Sequence, residues 1–106
     1  MIIFCDIDGI LTDDPVEKWG EPHINRIELI KEKIKDGHTV VVWSGNGTQY
    51  AESFCKLHGI NAKFSIGKPD IYIYDKKGVM YSGFEHVKPE EMVKINWEER
   101  YLVEGK

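Results

Sequence analysis

Short apolar runs alternate with helix-like segments along this chain, and this alternation limits the fold more than any other feature. The runs Ile2 to Cys5 and Thr39 to Trp43 are rich in β-branched residues, as strands buried on both faces are. Between them, isoleucines recur at spacings of three and four from Ile24 to Ile34, which predicts a helix. Strands that alternate with helices form right-handed βαβ units around a parallel sheet. We therefore expect an α/β fold with a small parallel sheet.

The pattern weakens in the second half of the chain. We predict a helix at Thr48–His58, a weak strand at Ala62–Ile66, a stronger fourth strand at Ile71–Tyr74, a short strand at Val79–Tyr81 and a helix at Pro89–Ile95. At 106 residues the chain has the length of a single domain. We expect its core to occupy about residues 1–85. Residues 86–106 are expected to form a C-terminal extension that is helical or partly disordered.

The composition excludes several classes of protein. A formal net charge of -4 argues against a general nucleic-acid-binding surface. No apolar run approaches the roughly 20 residues that span a bilayer, and the first residues lack the charged region of a signal peptide. Cys5 and Cys55 are too few for a disulfide framework. We expect a cytoplasmic protein with buried, reduced thiols and no membrane partner.

Two carboxylates, Asp6 and Asp8, come directly after the first predicted strand and precede Gly9. Like charges crowded into one small volume repel, so a divalent cation or a proton must compensate them. Oxygen ligands and a phosphate-bearing substrate suit Mg²⁺. An aspartate nucleophile that forms an aspartyl-phosphate is an established route for phosphoryl transfer. An Asp-x-Asp-Gly turn also fits a simple capping loop or a calcium-binding loop. A calcium site would need more oxygen ligands than this turn supplies.

Further polar residues follow the later strands, and the carboxyl ends of parallel strands form the usual site in such sheets. Ser44, Gly45 and Asn46 lead into a helix N-terminus and suit phosphate oxygens, although an ordinary N-cap loop has the same composition. Lys68 can neutralise a carboxylate and a phosphoryl group, or be an ordinary surface lysine. Asp75, after the fourth predicted strand, can be a third carboxylate on Mg²⁺ or a turn residue.

The order and spacing of these clusters resemble the haloacid-dehalogenase-like superfamily of phosphohydrolases. The resemblance covers roughly residues 1–78, and Asp6-Ile7-Asp8-Gly9-Ile10-Leu11-Thr12 is its most specific part. It implies a three-layer α/β/α Rossmann-like fold and Mg²⁺-dependent cleavage of a phosphomonoester. The resemblance implies that Asp6 is the nucleophile and Asp8 the acid/base. It implies that Ser44 and Lys68 bind the phosphate. The metal site would then consist of Asp6, the Asp8 carbonyl and Asp75.

The chain departs from the family pattern in two ways. The fourth predicted strand ends in Tyr74-Asp75, where two adjacent acids are expected, so this motif is incomplete and metal affinity is expected to be weakened. Residues 12–22 are too short for the cap that usually selects the substrate. An open site of this kind suits large phosphorylated molecules as well as small ones. Trp19 and His23 are candidate substrate contacts, and a loop tryptophan that covers the edge of the core is the alternative interpretation of Trp19.

Two alternatives to a phosphatase stay open at this point. A phosphotransferase would use the same residues and differ only in the acceptor. A catalytically weak relative would bind phosphate or a protein partner, and the single acid at Tyr74-Asp75 motivates that hypothesis. The sequence does not determine the oligomeric state.

Overall fold

The computed structural model describes residues 1–13, 20–75 and 85–101. In chain order its elements are β1 (Ile2–Asp6), α1 (Ile24–Lys35), β2 (Thr39–Ser44), α2 (Thr48–His58), β3 (Phe64–Gly67), a 3-10 turn (Pro89–Glu91) and α3 (Trp97–Tyr101). The strands form a parallel sheet in the order β1-β2-β3. The predicted α/β class and the parallel sheet are therefore confirmed. No described helix has the length and apolar character needed to cross a bilayer.

Both long helices pack on the same face of the sheet. Alternate residues of a strand point to opposite faces, so only every second residue of β1 and β2 can meet the helices. Each large side chain buried there contributes about 1.5–3 kcal/mol. The core on this face contains Ile3, Cys5, Val40 and Val42 from the strands and Ile27, Ile30, Ala51, Phe54 and Cys55 from the helices. The described residues thus form two layers, and the third layer expected from the sequence is not seen among them.

The opposite face of the sheet is apolar and largely exposed. The strand register aligns Phe4 with Val41 and Phe64, which places the three side chains on this face. Phe4 and Phe64 are 53% and 54% exposed. The rings of Phe4 and Trp43 meet edge to face with their centroids 4.9 Å apart. Val41 is buried beneath these side chains without joining the core of the other face.

The fourth predicted strand, Ile71–Tyr74, is not formed. These residues belong to no strand, and Ile71 and Ile73 are 79% and 91% exposed. Only residues 68–70 separate them from β3, whereas a connection between parallel strands needs about a dozen residues or more. The run therefore does not return to the sheet as a parallel strand, despite its high β-propensity. The strand predicted at Val79–Tyr81 lies outside the described residues.

The C-terminal segment contributes two side chains to the core. Met92 and Trp97, which we expected to belong to an extension, are 3% and 6% exposed and join the core of the helix-covered face. The indole N–H of Trp97 donates a hydrogen bond of 2.8 Å to the carbonyl of Met92. The helix predicted over Pro89–Ile95 is reduced to the 3-10 turn, and α3 begins only after that range, at Trp97.

An ion pair ties this segment to α1. The Nζ atom of Lys33 donates to Oε1 of Glu98 at 2.7 Å and lies 5.3 Å from the centre of the Trp97 ring. The Lys33 side chain is only 6% exposed, whereas that of Glu98 is 44% exposed. The ammonium therefore has a carboxylate and an aromatic face as partners where water has little access.

Both cysteines are buried and unpaired with each other, as predicted. Burial and the neighbouring Asp6 carboxylate raise the pKa of the Cys5 thiol to about 12. Burial also raises the pKa of Cys55, against a hydrogen bond with Ser65. Both thiols are thus protonated near neutral pH, which removes the thiolate that a cysteine nucleophile needs.

Candidate functional site

The ends of the three strands lie level with one another and form one polar edge. Asp6 ends β1, Ser44 ends β2, and Lys68 directly follows β3. The register aligns Ser44 with Gly67, and the Lys68 N–H donates a bond of 3.0 Å to the Ser44 carbonyl, which extends the β2–β3 pairing by one residue. The structure therefore brings Asp6, Ser44 and Lys68 together at the carboxyl edge of the sheet.

Asp6 and Lys68 form an ion pair across this edge. The Nζ atom of Lys68 lies 3.2 Å from Oδ1 of Asp6. This oxygen is shielded from solvent and accepts no properly oriented hydrogen bond within the described part of the chain, so its contact with the ammonium is one of charge. The Asp6 side chain as a whole is 39% exposed. Its exposure comes from atoms other than Oδ1, which leaves the rest of the carboxylate open to an incoming molecule.

A tight turn after β1 sets the position of Asp8. The carbonyl of Ile7 accepts the N–H groups of residues 10–12 at 2.8–3.1 Å. Gly9 lies inside this turn with φ of +83°, in the left-handed region that favours glycine. Arg26, in the first turn of α1, donates a hydrogen bond of 3.0 Å to the carbonyl of Ile10. The turn is therefore held both by its own backbone and by α1.

Both carboxylate oxygens of Asp8 accept hydrogen bonds from the chain around the start of α2. Asn46 Nδ2 donates to Oδ2 at 2.8 Å, and the Tyr50 hydroxyl donates to Oδ1 at 2.5 Å. Burial and the bond to Asp8 raise the pKa of Tyr50 to about 12, while a hydrogen bond with Asn46 acts in the opposite direction. The phenol is thus a hydrogen-bond donor throughout the neutral range.

Tyr50 was not predicted as a site residue. The spacing of apolar residues in this helix makes Tyr50 available for its inner face, together with Ala51, Phe54, Cys55 and Leu57. Ala51 and Phe54 are buried as expected, but Leu57 is 67% exposed and Tyr50 is half-buried. The signal available in the sequence was its place in the first turn of α2, just after the polar loop.

The loop between β2 and α2 is held largely by Ser44. The Asn46 N–H donates to Ser44 Oγ at 3.0 Å, and the Gly47 N–H donates to the Ser44 carbonyl at 3.1 Å. Gly47 has φ of +102° at the start of α2. We predicted that backbone N–H groups of this loop, with the Ser44 hydroxyl, would bind phosphate. Two of these N–H groups bond within the loop, whereas Ser44 Oγ accepts one bond and keeps its own proton for donation.

Lys68 is positioned by a close approach of β3 to the same loop. The Gly67 N–H donates a bond of 2.9 Å to Thr48 Oγ1 at the first residue of α2. A Cβ atom at Gly67 would lie 3.1 Å from the Cα of Gly47 and from the backbone nitrogen of Thr48. Glycine at position 67 therefore lets β3 lie against the loop, and Lys68 follows directly at the site.

The structure does not bring Asp75 into this site. Within residues 1–13, 20–75 and 85–101, no three His, Cys, Asp or Glu side chains are arranged to hold a metal ion. Asp75 is exposed and follows the unpaired run Ile71–Tyr74. Asp6 and Asp8 are thus the two predicted metal-binding residues that lie at the carboxyl edge of the sheet.

Backbone hydrogen bonds join the two ends of the connection between β1 and α1. The Asp13 N–H donates to the Glu21 carbonyl at 2.9 Å, and the His23 N–H donates to the Leu11 carbonyl at 2.8 Å. His23, a predicted substrate contact, has its Nε2 2.7 Å from Oδ1 of Asp13. The other predicted contact, Trp19, lies outside the described residues.

Comparison of the chain with protein-family models, with curated proteins and with solved structures found no match. The functional interpretation therefore depends on the chemistry of the residues at the sheet edge. Among them, the Asp6–Lys68 ion pair, the Ser44 hydroxyl and the doubly hydrogen-bonded Asp8 carboxylate define the candidate site.

Proposed function

We propose that this protein is a phosphohydrolase that cleaves a phosphomonoester through an aspartyl-phosphate on Asp6. The observation that carries the proposal is the Asp6–Lys68 ion pair of 3.2 Å at an open sheet edge, next to Ser44. A nucleophilic carboxylate, a cation and a hydroxyl donor are what in-line transfer of a phosphoryl group requires. All three come from the ends of adjacent parallel strands, where sites in such sheets lie.

In the first step an oxygen of the Asp6 carboxylate attacks phosphorus, and the bond from phosphorus to the leaving oxygen breaks. Lys68 and the Ser44 hydroxyl hold the phosphoryl oxygens, while a protonated Asp8 gives its proton to the departing alkoxide. In the second step water attacks the phosphorus of the aspartyl-phosphate and Asp8 takes its proton. The bond between Asp6 and phosphorus breaks, which restores the carboxylate and releases inorganic phosphate.

The proposal includes Mg²⁺, and the residues at the sheet edge fit this ion. The ion prefers hard oxygen ligands and is typically bound by one or two carboxylates together with substrate phosphate and water. Oδ1 of Asp6 is shielded and lies 3.2 Å from the Lys68 ammonium, so the rest of the Asp6 carboxylate would face the ion, and Asp8 lies two residues further on. Asp6 and the Asp8 carbonyl would hold the ion, which neutralises phosphoryl charge when bound. Asp75 would join them only if the chain from β3 to Asp75 took another course.

The finer fold assignment and the cellular location belong to the same proposal. A capless member of the haloacid-dehalogenase-like superfamily is supported by the β1-β2-β3 parallel order and by the polar carboxyl edge, although the described residues form only two of the three layers of that fold. The short connection between Thr12 and Pro22, which pair as an isolated bridge, suits a site open to large phosphorylated substrates. A cytoplasmic location remains the expectation from the sequence.

Release of phosphate from p-nitrophenyl phosphate tests this proposal. The wild-type protein is assayed with Mg²⁺ and with EDTA, beside Asp6→Asn and the control Asp70→Asn, which alters an exposed aspartate outside the ion pair. We expect metal-dependent activity that Asp6→Asn abolishes and Asp70→Asn retains. Full activity of the Asp6→Asn protein would overturn the proposal.

A second candidate function is phosphate binding without turnover. The position of Asp75 outside any three-residue metal group favours it, since the third carboxylate is then missing. Calorimetric titration with inorganic phosphate would detect binding by a protein that shows no hydrolysis. Under this alternative, Tyr74→Asp is expected to raise a low rate by supplying the adjacent acid, whereas an efficient phosphatase gains little from that change.

A further inference from the structure

The Asp8 carboxylate is held at both of its oxygens by groups from a different part of the chain. Asn46 reaches it from the loop after β2, and Tyr50 reaches it from the first turn of α2. An aspartate side chain rotates about two bonds, and a single hydrogen bond leaves the plane of the carboxylate free to turn. Two donors on two different oxygens fix both the position and the plane of the group.

The Tyr50 side chain packs against the edge of the core, and its hydroxyl reaches the site. Its neighbour Ala51 is fully buried and Phe54, one turn further on, is 1% exposed, so these residues attach α2 to the sheet. Tyr50 is half-buried and its hydroxyl meets Asp8 at 2.5 Å. Removal of the hydroxyl alone would therefore leave the core contacts of α2 intact.

We propose that Tyr50, assisted by Asn46, is a positioning residue that aims the Asp8 carboxyl group at the leaving-group oxygen. The inference rests on the proposed function, because it assigns a task to Asp8 in that reaction. A misplacement of about 1 Å in a reacting group costs about 100-fold in rate. The two hydrogen bonds keep Asp8 in place before the substrate arrives, so none of the binding energy is used to orient it.

The test compares two substrates that differ in how much they need a proton on the leaving group. An alkyl phosphate releases a strongly basic alkoxide and depends on the acid, whereas p-nitrophenyl phosphate releases a weakly basic phenolate and hardly needs it. The ratio kcat/KM reports the steps up to loss of the leaving group and so excludes the later attack of water. For Tyr50→Phe, we expect kcat/KM to fall at least about 10-fold more for the alkyl phosphate than for the aryl phosphate.

Controls separate positioning from stability. Tyr72→Phe removes the hydroxyl of an exposed tyrosine that stacks with Tyr74 and is expected to leave both substrates unaffected. Asn46→Ala is expected to show the same substrate dependence as Tyr50→Phe. The melting temperature of Tyr50→Phe is expected to be unchanged, because the core contacts of α2 are kept.

An equal loss for both substrates, or no loss, would overturn the positioning role while the wild-type activity upholds the proposed function. A wild-type protein inactive on both substrates would overturn the proposed function and this inference with it.

Discussion

Lys68 Nζ lies 3.2 Å from Oδ1 of Asp6, and this ion pair spans the end of the central strand β2. The two residues belong to opposite edges of the three-stranded sheet, so no local sequence pattern brings them together. The parallel register does so, because it makes the carboxyl ends of β1 and β3 level with each other. A lysine held at that place has a neighbour of opposite charge on one side and solvent on the other.

Replacement of Lys68 by methionine is expected to lower kcat for phosphate release by about 100-fold, the usual loss when one preorganised stabilising group is removed. Methionine keeps most of the length of the side chain but not its charge. Lys63→Met serves as the matched control, since Lys63 is exposed just before β3 and forms no ion pair in the described structure. Equal activities of the two variants would contradict a role for the Lys68 ammonium.

Replacement of Gly67 by alanine is expected to destabilise the protein and displace the loop before α2. The added Cβ would lie 3.1 Å from two backbone atoms, which cannot move aside as the end of a side chain can. We expect a loss of about 1–3 kcal/mol in the free energy of unfolding, measured with urea. Gly45→Ala is the control, because a Cβ there meets nothing within 4 Å. A Gly67→Ala protein as stable as Gly45→Ala would contradict this packing.

Replacement of Glu98 by alanine is expected to lower the free energy of unfolding by about 1–2 kcal/mol, because it leaves the Lys33 ammonium buried without a carboxylate. The estimate is below the usual cost of breaking a buried pair because Glu98 itself is half exposed to solvent. Glu99→Ala removes the neighbouring exposed carboxylate and is expected to change stability by no more than about 0.5 kcal/mol. Chemical denaturation of the two variants measures the difference.

The same ion pair makes stability depend on pH in the acid range. The Lys33 hydrogen bond, above all, lowers the pKa of the Glu98 carboxyl in the folded protein. A carboxylate with a lowered pKa stabilises the folded state above its unfolded pKa of about 4.3, and this stabilisation is lost as pH falls through the folded value. The difference in unfolding free energy between wild type and Glu98→Gln is therefore expected to shrink as the pH falls below about 4.3. A difference that grows with acid would contradict the pairing.

The strands and helices that pack together were largely predictable from the sequence. The periodicity of Ile24 to Ile34 and the apolar run Thr39 to Trp43 gave α1 and β2 within one residue at each end. Ile71–Tyr74 has the same β-branched and aromatic character, yet it stays outside the sheet. Composition reports what a segment prefers locally, whereas pairing also depends on the length of the connection that must carry it to a free edge.

The residues that meet at the sheet edge were predictable from the sequence, but the hydrogen-bond partners of Asp8 were not. The rule that parallel strands end together was sufficient to place Asp6, Ser44 and Lys68 at one edge. The partners of Asp8 depend on the rotation of α2 about its axis, which lets the Tyr50 ring pack against the core while its hydroxyl reaches Asp8. The packing of Ala51 and Phe54 against the sheet sets that rotation. The periodicity of the sequence alone does not fix the rotation angle of α2 within a large part of a turn.

The burial of Met92 and Trp97 has a consequence for folding during synthesis on the ribosome. A growing chain that has released residues 1–75 already carries Asp6, Asp8, Ser44 and Lys68, yet the helix-covered face of its sheet still lacks two of its core side chains. The residues of the proposed site are thus synthesised before the last residues of the core. A nascent chain halted before Trp97 would contain every proposed catalytic residue, while the apolar surface that Trp97 covers in the full chain would still be exposed.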